Sequence, residues 1–310
     1  MTSQGTINRA GELVPGLHLL GHPVGPVYLL DGPQPALFDS GFTALARAYL
    51  DDLAAILLGR SPRFLFLTHS HYDHAGCAGW FKKIYPDLTV CASSQSQAIL
   101  RRPNATKLIS QLSREATDSF LKHGIPRAKE SDFLPIEVEK VLADGDTVQL
   151  ADNLSVEVIA TPGHTRACLS YYIPQRRMLF CGEAGGIRLH DGHIATEFVA
   201  DYQAYEDSLR RLAGLEVEVV CQAHHLALIG PTAGEFLSES LHKAMEFKEM
   251  VLEFLAQDGG DIGRTIQRVK EIDWDPRTGF KQPLPAYMLN LEARVKLLAK
   301  EAGYVISKEN

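Results

Sequence analysis

Residues 68–76 read Thr-His-Ser-His-Tyr-Asp-His-Ala-Gly, and the four residues before them, Phe64 to Leu67, are all apolar. A short unbroken apolar run closed by polar residues predicts a strand buried on both faces. The histidine cluster therefore falls where such a strand ends. On an extended segment, residues two apart share a face, so His69 and His71 can converge on one point. Asp73 and His74 follow where the chain must turn, so they can face the same cavity from another side. Imidazole and carboxylate are the ligands expected for zinc, iron or manganese. Crowding them is costly unless a bound cation offsets protonation and repulsion. The alternative is a surface loop that happens to be histidine-rich. Three of the chain's 12 histidines within six positions, directly after a buried strand, weigh against it.

Working outward, GLHLLG, VYLLDG and ALFDSG read as short strands, each closed by a turn residue. Residues 43–59 switch to a helical period, with Leu45, Tyr49, Leu53 and Ile56 or Leu57 on one side and Gly59 as the stop. After the cluster, a helix over HAGCAGWFKKIYP, a strand at LTVCAS and a helical stretch at 94–123 are predicted. Strands follow at DTVQLADNLSVEVIATPG, CLSYYIP, RMLFCG and VEVVCQA, with a helix near 202–213 before the last. Alternating elements with polar residues at strand ends indicate a layered α/β domain over 1–230. From Pro231 the pattern becomes helical at 236–255, 261–269 and 284–302, which makes 231–310 a helical C-terminal region expected to pack near the active site.

Composition is that of a globular protein, 45% hydrophobic and 22% charged. The net charge of −7 argues against binding along a phosphate backbone, so no nucleic-acid partner is expected. The N-terminus lacks a basic region followed by an apolar run, and no stretch approaches 18 uninterrupted apolar residues. A cytoplasmic protein without a membrane partner is the expectation. Cys77, Cys91, Cys168, Cys181 and Cys221 are scattered, odd in number and form no CxxC pair, which suggests reduced, buried thiols.

The pattern His69-x-His71-x-Asp73-His74 resembles the signature of the metallo-β-lactamase superfamily. That resemblance implies an αββα sandwich of two mixed sheets, here with the helical C-terminal extension. It also directs attention to His164 in TPGHT, Glu183 in MLFCGE and a histidine in VVCQAHH, where register favours His224 over His225. The order is the family's. Asp39, in ALFDSG, matches a strand-end aspartate that supports the metals. By resemblance His69, His71 and His164 would hold one metal, Asp73, His74 and His224 the other, and Glu183 would bridge. The implied cofactors are two divalent ions, zinc first, with iron or manganese open. The implied reaction is hydrolysis of an ester, thioester or lactone by a metal-bound hydroxide, with Asp73 as a catalytic residue orienting the water.

Glu183 departs from the aspartate usual in the family. Its extra methylene leaves three outcomes open: bridging with adjusted geometry, binding one metal, or swinging away. Two other readings accompany the hydrolase: a signalling or binding protein of the same fold with weak hydrolysis, and an iron-dependent redox enzyme of the superfamily.

The missing export signal speaks against a periplasmic β-lactamase. A glyoxalase-II-type thioesterase also has a helical C-terminal region, but its glutathione-binding basic residues have no clear counterpart here. The layout is similar to quinolone-signal-response thioesterases and lactonase-like hydrolases. The expected partner is a small molecule with an acyl bond, and a homodimer is left open. Residues 97–135, with Leu112, Phe120, Leu121 and Phe133, could cap the site. The C-terminal helices offer Phe247, Met250, Phe254, Tyr287 and Met288, either to the pocket or to a helical core.

Overall fold

A computed structural model describes residues 5–278 and 281–305. Its centre is a pair of seven-stranded sheets, both mixed. In the first, Gly11–Val14, Leu17–His22, Gly25–Leu30 and Ala36–Phe38 run antiparallel in sequence order. Phe64–Phe66, Thr89–Ser93 and Lys140–Leu142 then continue in parallel. The second is ordered Thr6–Ile7, Ala227–Ile229, Val219–Gln222, Met178–Gly182, Leu169–Ile173, Leu154–Ala160, Thr147–Ala151. Only its Met178–Gly182 and Val219–Gln222 strands pair in parallel.

By contacts the chain forms two compact units. One holds the described residues up to Ala160, with Ala167–Gly182 and Glu216–Gly234. The other holds Thr161–Arg166, Glu183–Leu215 and the described residues from Glu235 onward. Within the first unit the two sheets meet face to face. Leu17, Leu19, Phe38 and Phe66 from one sheet form a single apolar cluster with Val156, Tyr171, Phe180 and Cys221 from the other. Phe38 stacks on Phe180 with ring centroids 3.6 Å apart. Two tyrosines span the layers with their hydroxyls satisfied: Tyr28 donates to the Gln222 carbonyl and Tyr171 to that of Leu67. The outer face of the first sheet is covered by helix Ala46–Leu57, which buries Tyr49, Leu53 and Leu57 as its period predicts. Here Leu58 takes the left-handed conformation one residue before the expected Gly59 stop.

In the second unit, helix Tyr202–Ala213 occupies the expected span and buries Tyr202, Tyr205, Leu209 and Leu212. Helices Pro231–Gln257, Ile262–Asp273 and Leu284–Glu301 follow. Phe247, Phe254 and Tyr287 are buried in this unit's own core, with Met250 and Met288 packed against it. The 94–123 stretch is helical as expected, in two segments, Ser94–Leu100 and Pro103–Lys122. Pro103 forces the break: it disfavours helical backbone at Arg102, yet is well suited to the first turn of a new helix. All five cysteines are buried and without disulfides. Burial pushes the Cys91 thiol up to about 12, so this thiol is held protonated.

Two consequences follow. Replacing Phe180 by alanine removes a ring stacked across the two sheets and should cost about 3–5 kcal/mol, measured by urea denaturation. In the second unit, burial, assisted by Arg277 and opposed by Asp273 and Asp191, lowers the pKa of His193 to about 4. The folded chain keeps this ring neutral while the unfolded chain protonates it near pH 6.5, so stability should fall as pH drops from 6.5 towards 4. Wild type should lose more stability over that window than His193→Gln, compared by denaturation at each pH.

Candidate metal centre

The strand Phe64–Phe66 ends three residues before His69, and its parallel neighbour Ala36–Phe38 ends one residue before Asp39. The sheet pairs Phe38 with Phe66, so the residues that follow both strands leave side by side. Asp39 has φ +56°, a conformation that aspartate and asparagine tolerate better than most side chains. Its carboxylate accepts the Thr68 backbone N–H at 2.7 Å, the Thr68 hydroxyl at 2.9 Å and His74 Nδ1 at 2.8 Å. The chain then reverses tightly, with the His71 carbonyl accepting the N–H groups of His74 and Ala75. Gly76 closes the motif because a Cβ there would lie 2.4 Å from the Tyr72 carbonyl oxygen.

Hydrogen bonds fix the tautomers of four rings. His74 Nδ1 faces a carboxylate, so it must donate. His224 Nδ1 lies 2.7 Å from the Val24 carbonyl, and His164 Nδ1 lies 2.6 Å from that of Glu197. Carbonyls only accept, so both nitrogens carry the proton. The Thr68 hydroxyl spends its hydrogen on Asp39 and therefore accepts from His69 Nδ1 at 3.0 Å. In each ring the lone pair is left on Nε2, the arrangement that metal-ligating histidines show.

The histidines named from sequence are close together. Ring centroids of His69 lie 4.4 Å from His71 and 4.3 Å from His74, and those of His74 and His224 are 5.5 Å apart. Asp73 Oδ2 lies 3.6 Å from His224 Nε2 and 3.9 Å from His74 Nε2. Two groups of candidate ligands result: His69, His71 and His164 in one, and Asp73, His74, Glu183 and His224 in the other. Within each group the ligand atoms are within 4.8 Å of one another. His225 belongs to neither; its backbone is left-handed, at φ +71°, and its N–H bonds to the Pro23 carbonyl.

The loop carrying His164 is held by Gly163, whose carbonyl accepts the N–H groups of Val199, Ala200 and Asp201 ahead of helix Tyr202–Ala213. A Cβ on Gly163 would lie 2.4 Å from Tyr205, so this close approach requires glycine. Glu183 is buried, and its carbonyl accepts the Gly186 N–H. Nitrogen and oxygen donors of this kind fit a divalent zinc, iron or manganese ion, and none of the five cysteines belongs to either group. The sequence reading missed Thr68 and the carbonyls of Val24 and Glu197. Thr68 was detectable as a hydroxyl beside the motif, whereas a carbonyl is common to every residue and leaves no sequence signal.

Two mixed sheets face to face, with two clusters of candidate metal ligands, define a metal-binding α/β sandwich, and the comparison with known families agrees. The chain belongs to the metallo-beta-lactamase superfamily, whose model matches residues 21–224. It is 30% identical over 192 residues to a hydroxyacylglutathione hydrolase of Thermosynechococcus vestitus, covering 62% of this chain and 60% of the relative's length. Relatives of this kind support the thioesterase-like branch that the sequence layout suggested. A metallo-beta-lactamase fold-containing protein of Sulfurisphaera tokodaii is 25% identical over 270 residues, covering 83% of this chain and 94% of that one. A solved metallo-beta-lactamase family protein of Thermus thermophilus shares the fold, with a TM-score of 0.65 at 22% identity over 94% of this chain and 95% of that one.

Asp39→Asn keeps the size and the backbone tolerance but loses the charge that holds His74. It should weaken zinc affinity by roughly 10–100-fold, read by competition with a chromogenic chelator, with circular dichroism unchanged.

Proposed function

We propose that this chain is a dinuclear metal-dependent hydrolase that cleaves an acyl bond in a small molecule. The observation that carries the reading is the fixed tautomer of four histidines, each with Nδ1 donating, which puts the lone pair on Nε2, the atom that would ligate a metal. His69, His71 and His164 would hold one ion, and Asp73, His74, Glu183 and His224 the other. Divalent cations held there, zinc first with iron or manganese as alternatives, would polarise the substrate carbonyl and make water acidic enough to attack at neutral pH.

The chain's own residues supply the rest. Asp73, whose Oδ2 lies 3.6 Å from His224 Nε2 and 3.9 Å from His74 Nε2, would accept a proton from the attacking water. Thr68 and Asp39 keep the rings of His69 and His74 from rotating, so the donors are arranged before substrate arrives. Among acyl bonds, a thioester is the first choice because several relatives are hydroxyacylglutathione hydrolases. Esters and lactones present the same electrophilic carbonyl. A net charge of −7 fits a small-molecule substrate better than nucleic acid. Among the described residues no helix is long and apolar enough to cross a membrane.

Purified protein loaded with zinc should contain about two equivalents per chain by elemental analysis and hydrolyse at least one of a panel of thioesters, esters and lactones. His71→Ala should lower kcat at least about 100-fold. Glu183→Gln should deplete the second equivalent selectively, because the first group contains no carboxylate. Fewer than about half an equivalent of metal after supplementation would sink the proposal.

A further inference from the structure

Three aromatic side chains next to the metal centre have no part in holding it. Phe42 lies three residues beyond Asp39, on a segment that allows little movement. Gly41, at φ +66°, is pressed against Tyr49, and the Phe42 carbonyl accepts both the Leu45 N–H and the Cys77 thiol. A Cβ on Gly25 would lie 2.3 Å from the Phe42 ring, so the ring rests directly on that backbone. Edge-to-face contacts join Phe42 to Phe120 at 5.3 Å and to Tyr72 at 5.8 Å, and the His224 ring is 6.3 Å from it. Tyr72 is flanked in sequence by the candidate ligands His71 and Asp73, and Phe120 comes from helix Pro103–Lys122.

All three rings are half-buried, although Gly41 and Thr43 on either side of Phe42 are buried. The three rings pack against the apolar cluster that contains Leu45, Tyr49 and Phe81, and the part of them left open lies within one ring contact of a metal ligand, where a binding wall is needed. Apart from the Tyr72 hydroxyl its chemistry is apolar and uncharged, which suits alkyl or ring carbon better than a short polar acyl group.

We propose that Phe42, Tyr72 and Phe120 form the acyl-binding wall of the site, so that preferred substrates carry a medium-length apolar acyl group. This rests on the hydrolase reading above. Each methylene removed from water favours binding by about fourfold, so even partial burial of an octanoyl chain should exceed acetyl by at least about 10-fold.

The test uses the zinc-loaded full chain with octanoyl and acetyl thioesters of N-acetylcysteamine, which share one leaving group. In the wild type, kcat/KM should favour octanoyl by at least about 10-fold. Phe120→Ala should reduce that ratio at least about fivefold, mainly through KM, and Phe120→Leu should restore most of it. A ratio unchanged in Phe120→Ala, or equal losses on both substrates, overturns the proposal. Calorimetric binding of octanoate and acetate separates this inference from the activity itself. If neither thioester is cleaved, tighter octanoate binding that weakens in Phe120→Ala still supports the wall, and equal binding of the two carboxylates overturns it.

Discussion

The buried Asp39 carboxylate is the constraint on which the rest of the site depends. It accepts from the Thr68 backbone, the Thr68 hydroxyl and the His74 ring. A charge withdrawn from water is tolerable only when its lone pairs are filled in this way. Filling them ties two parallel strands together just beyond their ends and sets the direction in which the histidine cluster departs. The same anion orients His69 at one remove, because the Thr68 hydroxyl can accept from His69 only after donating its own hydrogen to Asp39. One carboxylate thus orients a histidine in each of the two ligand groups.

The two groups are not electrostatically equivalent. His69, His71 and His164 are neutral donors, and two of these rings are held by neutral acceptors, a hydroxyl and a carbonyl. The other group contains two carboxylates, Asp73 and Glu183, and a histidine held by an anion. An imidazole bonded to a carboxylate is the stronger metal donor. The second group therefore offers the more negative field and the harder oxygen ligands, so it suits a harder cation than the first.

Much of this was legible in the sequence because it depends on residue type at fixed spacing. The apolar run 64–67, the alternation of strands and helices, and helix Tyr202–Ala213 are local signals, and the structure follows them. Other features depend on what a segment meets after folding. The period of Phe247, Phe254 and Tyr287 is the same whether they face a pocket or a core, and the structure buries them in a core. Helix Pro231–Gln257 begins at a proline five residues before the apolar period becomes visible. The wall formed by Phe42, Tyr72 and Phe120 joins residues up to 78 positions apart, which no local pattern reveals.

Glu183 shows how a one-residue departure from a pattern should be weighed. An extra methylene moves a carboxylate by about an ångström when the backbone stays put. The backbone before it has little freedom: Gly182 is at φ +53°, and a Cβ there would come within 3.1 Å of the Thr68 side chain. Thr68 is in turn fixed by Asp39. The longer arm therefore starts from a rigid base, and the adjustment must come from its own torsions and the position of the ion. A carboxylate can accommodate this, since it binds through either oxygen and from several directions. The substitution therefore leaves the donor chemistry of its ligand group intact and puts the adjustment on the reach of a single side chain.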